Sequence, residues 1–291
     1  MIIKETTISN FRGISNLTLE FEGKSTVLYG KKNAGKTSIL DAMDMLTEDI
    51  VYAAVTGDKK KHIVMLEEDV KAQERLAEIK AVFNLKMLNQ DFEHSYVRER
   101  KGIRQEYLST NAVIFSTMFS RCYIGEEKPG SKEFEFNKND MPVFAYYKAG
   151  RHLGKQKEEE EAENKKQAFD FSSEAGIVLE DCEQWLFSRP EYVALFQIKD
   201  LLELSEDEKC VLAMAGDIAR KLSIANVDKE NPLDGKGIVF IDDIEAGLRE
   251  EWKEKIVPAL VNAFPNIQFL ITTGEESVAN SAARCARVLE I

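Results

Sequence analysis

The stretch Gly30-Lys31-Lys32-Asn33-Ala34-Gly35-Lys36-Thr37 constrains this chain more than any other part of it. It fits G-x-x-x-x-G-K-[ST] at every required position. Upstream, Ser25-Thr26-Val27-Leu28-Tyr29 is a short β-prone run. Downstream, apolar residues between Thr37 and Leu46 recur at helical spacing. Strand, glycine-bearing loop and helix follow in the order that wraps backbone around a phosphate. Gly30 and Gly35 let the loop curl with successive N–H groups, those of Asn33 and Ala34 among them, turned inward. The helix then presents its positive end to the same anion. In such a loop Lys36 reaches the β- and γ-phosphates, the Thr37 hydroxyl ligates Mg2+ and Ser38 assists at the α-phosphate. The expected ligand is ATP with Mg2+.

A second pattern lies two hundred residues on. Ile238-Val239-Phe240-Ile241 is an unbroken apolar run followed by Asp242-Asp243. A parallel strand buried on both faces reads this way, and it delivers its acids to the carboxyl edge of the sheet, where ligands bind in open α/β folds. Asp242 is expected to hold the Mg2+ shell, and Asp243 stands where the attacking water is polarised.

Between and around these motifs the pattern is that of an α/β protein. Strands are expected over 2–8, 17–21, 81–88, 112–119, 141–147, 237–241 and 267–273, and helices over 37–46, 68–80, 206–224 and 250–264. Ser205 caps the third of these helices, with Glu208 three residues later. The run 155–166 (KQKEEEEAENKK) reads as a solvated helix or loop. The expected division is 1–54 for the first half of a nucleotide-binding head, 55–140 for a helical and β insertion, and 141–291 for the second half.

Composition narrows the classes. With 44% apolar and 31% charged residues, the chain is ordinary for a soluble globular protein. It has no apolar run long enough to span a bilayer and no secretory h-region at its start, so a cytoplasmic location and no membrane partner are expected. Cys122, Cys182, Cys210 and Cys285 form no C-x-x-C pair and read as reduced thiols. His62, His94 and His152 have no ligand spacing. A net charge of −12 argues against strong non-specific DNA binding by this chain alone, though a local basic patch such as Lys59-Lys60-Lys61-His62 is compatible with it. That cluster reads foremost as a solvated loop, and Trp185 and Trp252 as packing anchors.

Taken together, these pieces resemble the RecF/SMC-like ABC ATPases, and more narrowly the bacterial AAA-family proteins that include the ATPase of Septu-type anti-phage systems. The resemblance is carried by Ile8-Ser9-Asn10-Phe11-Arg12-Gly13, the phosphate loop, Pro142–Tyr147 with Arg151, Leu204-Ser205-Glu206-Asp207-Glu208-Lys209, Gly216–Arg220, the 238–243 strand, Trp252, and the run from Phe264 to Thr273. It implies an ABC-type P-loop head with a mostly parallel central sheet, an N-terminal antiparallel β layer and a helical/β insertion. It also implies a homodimer or higher oligomer, in which two protomers sandwich two nucleotides. The loop of one then faces an LSxGE signature of the other, with Ser205 as the signature serine and Glu208 as its glutamate. Arg12 is open to two readings, nucleotide sensor or strand-end cap, and Arg151 to contact with nucleotide or partner, or a surface ion pair. A separately encoded nuclease or toxin effector is implied as a partner; nucleic acid is compatible but not required.

The chain departs from the family pattern at three places near the γ-phosphate. Asp207 replaces the signature glycine, and a like charge at ~5 Å costs roughly 3 kcal/mol at an effective dielectric near 20. Asp243 stands in place of the catalytic glutamate and is one methylene shorter. Gly274 follows Thr272-Thr273 where a switch histidine is expected. The loop 245–250 also lacks the family's histidine-rich text, the stretch between Trp185 and Ser205 is short, and no C-terminal nuclease domain is expected. The reading is an ATP-occupancy sensor with weak or absent hydrolysis. An active ATPase coupled to DNA processing or effector activation is the alternative, and a nucleotide-free scaffold is a third, disfavoured by the complete loop.

Overall fold

The structure, a computed structural model, describes residues 1–86, 88–102, 107–127, 134–136, 140–150 and 205–291. Expectations for Arg151, His152, the 155–166 run, Cys182, Trp185 and the 185–204 stretch lie outside these residues. In chain order the elements are β1 (Ile2–Phe11), β2 (Ile14–Glu20), β3 (Thr26–Tyr29), α1 (Lys36–Thr56), β4 (Leu76–Leu85), β5 (Gln90–Glu99), α2 (Thr110–Phe119), β6 (Gly125–Glu127) and β7 (Phe134–Phe136). They continue with β8 (Val143–Tyr147), α3 (Glu206–Ala225), β9 (Gly237–Ile241), α4 (Glu250–Lys253), α5 (Ile256–Ala263), β10 (Ile267–Thr273), α6 (Glu276–Ala282) and β11 (Arg287–Glu290). Two units divide them, Met1–Lys24 with Lys31–Asn139, and Ser25–Gly30 with Asp140–Glu290.

The first unit is built on a four-stranded antiparallel sheet of order β2-β1-β4-β5. Its core lies under α1, which packs on β1, β4, β5 and α2. The helix is 21 residues long and buries Ile39, Leu40, Met43, Leu46 and Ile50 along one face. In β4, Ala77, Ile79, Ala81, Phe83 and Leu85 point inward at period two, the alternation of a strand with one solvated face. The expected 68–80 helix is therefore corrected: the chain pairs with β5 from Leu76 and with β1 from Glu78. Ladder pairing on both edges outweighs the helix-forming Ala, Glu and Lys of that stretch.

Residues 112–119 also differ from expectation, being helix rather than strand. Ser109 caps α2 by accepting from the Ala112 N–H, and Ala112, Phe115, Ser116 and Phe119 are buried at spacings of three and four. Phe92 of β5 stacks on Phe115 with ring centroids 4.5 Å apart. Lys61 is not the solvated residue expected of a basic loop. Its side chain is buried 3.8 Å from Asp49, whose carboxylate also lies 3.6 Å from His94. Burial pushes the Lys61 amine down to about 8, the Asp49 charge opposing.

The second unit carries a five-stranded sheet of order β11-β3-β10-β9-β8, every pair parallel. Every residue of β9 and β10 is buried, as expected for central strands covered on both faces. Gly237 opens β9 because a Cβ there would sit 2.5 Å from the Val143 carbonyl oxygen of β8. The expected 250–264 helix is split into α4 and α5. Pro258 lacks an N–H, and its ring clashes with the carbonyl four residues back, so the continuous helix fails around Glu254 and Lys255. The half-buried Trp252 lies on α4.

Candidate nucleotide site

The predicted site residues divide between the two units. In the second unit β3 runs into Gly30, whose N–H donates to the Thr273 carbonyl at 3.2 Å. The rest of the loop belongs to the first unit. There the Ala34 N–H closes a turn on the Lys31 carbonyl at 3.2 Å, and Asn33 takes φ 69°. Gly35 takes φ 95° at the start of α1, a left-handed conformation that costs a glycine little and most side chains much. No side chain caps α1. An uncapped helix start is a place for an anion to accept from N–H groups. Lys36 folds back over the loop, its Nζ donating to the Lys31 carbonyl at 3.0 Å. Thr37 is exposed and Ser38 half-buried at the same turn. These donors fit a polyphosphate.

Arg12 sits at the β1–β2 turn with φ 49°. Its Nε donates to Asp69 at 2.8 Å and its Nη1 pairs with Asp41 of α1. These pairs join the turn to α1 and to the 67–69 turn.

The acids follow β9. Asp242 is 2% exposed, and the Thr272 hydroxyl donates to its Oδ1 at 2.6 Å. The same hydroxyl accepts from the Asp243 N–H at 2.8 Å. Asp243 is exposed and takes φ 52°. A buried, oriented carboxylate is suited to a hard cation such as Mg2+. Two residues on, the buried Glu245 accepts from the Gly274 N–H at 2.6 Å. Burial raises its pKa; hydrogen bonds from the Gly274 N–H, its own N–H and the Thr273 hydroxyl oppose, and the Asp243 charge adds to the rise.

Ser205 and Glu208 form a reciprocal capping box at the start of α3: the Ser205 N–H donates to Glu208 Oε2 at 2.9 Å and the Glu208 N–H to the Ser205 hydroxyl at 3.3 Å. Glu208 is fully buried and also receives Arg249, at 2.5 Å from Nε and 3.1 Å from Nη2. Asp207 lies against Gly247, where a Cβ would sit 2.0 Å from its Oδ2. Gly247 has φ 72°, so that position is closed to other residues twice over. The start of α3 is thus fastened to the loop after the two acids.

Thr272, Glu245, Gly247 and Arg249 were not singled out from the sequence. The signals were present: a polar pair closing an apolar strand, and a third acid in Asp242-Asp243-Ile244-Glu245.

A parallel sheet with acids at the end of a central strand, together with a glycine-lysine loop opening a helix, defines the class of P-loop α/β nucleotide-binding heads. The chain belongs to the AAA ATPase domain family, whose profile matches residues 1–212. It is 46% identical over 81 residues to the Retron Ec83 probable ATPase of Escherichia coli, covering 28% of this chain and 15% of that protein. It is 40% identical over 73 residues to the Septu protein PtuA of Bacillus mycoides, covering 25% of this chain and 10% of that one. The chain therefore spans well under a fifth of the length of these relatives. Among solved structures, the SMC head bound to the C-winged helix domain of ScpA superposes with a TM-score of 0.57 at 11% identity, covering 100% of this chain and 94% of that one. This likeness establishes the ABC-type head fold expected from the sequence.

Proposed function

We propose that this chain is an ATP·Mg-binding ABC-type head whose nucleotide occupancy controls a dimer or partner complex, with weak or absent hydrolysis. The observation that carries the reading is the uncapped start of α1 behind a left-handed Gly35, with Lys36 folded over the loop. Gly30, Asn33, Ala34, Gly35, Lys36, Thr37 and Ser38 hold the phosphates, Thr37 and Asp242 hold Mg2+, and Asp242 with Asp243 provide the acids at the reacting end. Bound Mg2+ supplies charge neutralisation at the phosphates. Arg12, Ser205 and Glu208 act by placing neighbouring elements, and Ser205 keeps its hydroxyl proton for a nucleotide held by a second protomer. The division at 1–54, 55–140 and 141–291 stands as the proposed domain organisation. A separately encoded nuclease or toxin effector and a role in anti-phage defence or DNA maintenance are proposed by analogy with the retron and Septu proteins, and a cytoplasmic setting is proposed from the sequence. Among the described residues no helix is long and apolar enough to cross a membrane.

Calorimetric titration with ATP·Mg, with phosphate release followed on the same sample, tests the reading. Binding that is lost in Lys36→Ala, with slow release, is the expected result. A protein that takes up no ATP would sink the proposal. Fast turnover would replace the occupancy reading by the alternative, an active ATPase coupled to DNA processing or effector activation.

A further inference from the structure

We infer that Arg249 is a positioning residue: it sets Ser205 for the nucleotide of a second protomer and ties that serine to the end of β10, beside the phosphate loop. The inference rests on the ATP reading above and concerns how nucleotide occupancy reaches the contact between copies. Every group involved belongs to the second unit.

Ser205 is exposed at the start of α3, yet its backbone is held from within. The Ser205 N–H donates to Glu208 Oε2 at 2.9 Å. The same oxygen accepts from Arg249 Nη2 at 3.1 Å, and Oε1 accepts from Nε at 2.5 Å. The guanidinium fork thereby fixes the plane of a carboxylate that is itself fully buried. A buried carboxylate stripped of its cation turns toward water or takes up a proton, and either change weakens its hold on the Ser205 N–H. Asp207, at the position of the family's signature glycine, adds a steric contact on the same turn. Its carboxylate packs on Gly247, where a Cβ would sit 2.0 Å from Oδ2.

The loop that carries Arg249 is stiff. The Ala246 N–H closes on the Asp243 carbonyl at 3.1 Å and the Leu248 N–H on the Glu245 carbonyl at 3.0 Å, giving two overlapping turns. Beyond them the Trp252 N–H donates to the Arg249 carbonyl at 2.9 Å, where α4 begins. At the other end Glu245 Oε1 accepts from the Gly274 N–H at 2.6 Å, and the carbonyl of the preceding Thr273 accepts from the Gly30 N–H at 3.2 Å. A contiguous set of bonds therefore runs from the first glycine of the phosphate loop, through the end of β10 and the 243–249 loop, to Ser205. The directional link between that loop and α3 is the Arg249–Glu208 pair. Breaking it should separate ATP binding from association, which contiguity alone would not do.

The test uses the full chain and two readouts: ATP·Mg affinity by calorimetry, and self-association with and without ATP·Mg by sedimentation velocity. Arg249→Met keeps an unbranched stem and removes the fork. It is expected to bind ATP·Mg within about 3-fold of the unaltered chain and to weaken ATP-driven association about 10-fold or more. Arg249→Lys keeps the charge without the fork and should recover part of that loss. Because the arginine acts through the serine, Ser205→Ala should weaken association similarly. Joining the two substitutions should add little, whereas independent roles would multiply to about 100-fold. Val257→Ala opens a cavity in the core of the same unit and controls for stability; it should lower the melting temperature and leave association unchanged. The inference is overturned if Arg249→Met associates like the unaltered chain, if its ATP affinity falls in step with association, or if the paired losses multiply. Equal weakening by Val257→Ala overturns it as well. An unaltered chain that binds ATP·Mg and stays monomeric overturns it and leaves the binding proposal standing, whereas absence of binding removes both.

Discussion

The hydroxyl of Thr272 holds two neighbours at once, donating to Asp242 Oδ1 at 2.6 Å and accepting from the Asp243 N–H at 2.8 Å. Thr272→Val keeps the shape and removes both bonds. Leaving a buried acceptor and donor without this partner costs about 1–3 kcal/mol, which urea unfolding would read as a lower midpoint at unchanged slope. Asp242 then loses its fixed orientation, so affinity for ATP·Mg should fall more than affinity for ATP without the metal. Thr272→Ser should restore most of both; equal loss with and without Mg2+ would remove the orienting role. The two classes of site residue also show what a sequence can express at this scale. The phosphate loop was legible because eight consecutive residues spell its chemistry. Thr272 meets Asp242 only because β10 pairs with β9 in the register Ile271↔Ile241, thirty positions apart in the chain. Glu245 and Gly274 meet through the same two strand ends. Pairings of this kind are set by the sheet and are not written in any local pattern.

Elements were legible where one physical preference acted alone. The central strands β9 and β10 have apolar runs that only a doubly covered strand explains, and α3 begins at the capping box read from Ser205 and Glu208. The readings at 68–80 and 112–119 failed where composition and period disagreed. In β4 the alternation from Ala77 to Leu85 was the true signal, and in α2 it was Ala112, Phe115 and Phe119 behind the Ser109 cap, despite their β-prone neighbours. The attachment of α3 gives a test at the same scale. Burial alone would raise the Glu208 pKa, but the Arg249 and Ser205 bonds outweigh it and hold the carboxyl below its ordinary value. A depressed acid contributes stability that is complete above the unfolded value of about 4.3 and is lost as pH falls through the lower folded value. Glu208→Gln should therefore cost about 1–2 kcal/mol near neutrality, with the gap from the unaltered chain closing below about pH 4. Melting curves across that range would show it, and a gap that stays constant with pH would mean that the loss is one of packing and not of charge.

At the scale of the molecule, charge and the proposed pairing of copies act against each other. Each chain carries −12, so two copies bring together like fields, and ATP adds further negative charge before Mg2+ offsets part of it. Association must then come from local contacts made at the nucleotide, against a long-range repulsion that salt screens over about 10 Å at 0.1 M. The expected behaviour has two parts. Self-association should require ATP·Mg and disappear in Lys36→Ala. It should also tighten as salt rises from about 0.05 to 0.2 M, because screening removes repulsion faster than it weakens short contacts. Sedimentation velocity at several salt concentrations, with and without nucleotide, measures both. Weakening with salt would show that complementary charge patches hold the copies together despite the net charge, and association indifferent to nucleotide would remove occupancy as the signal.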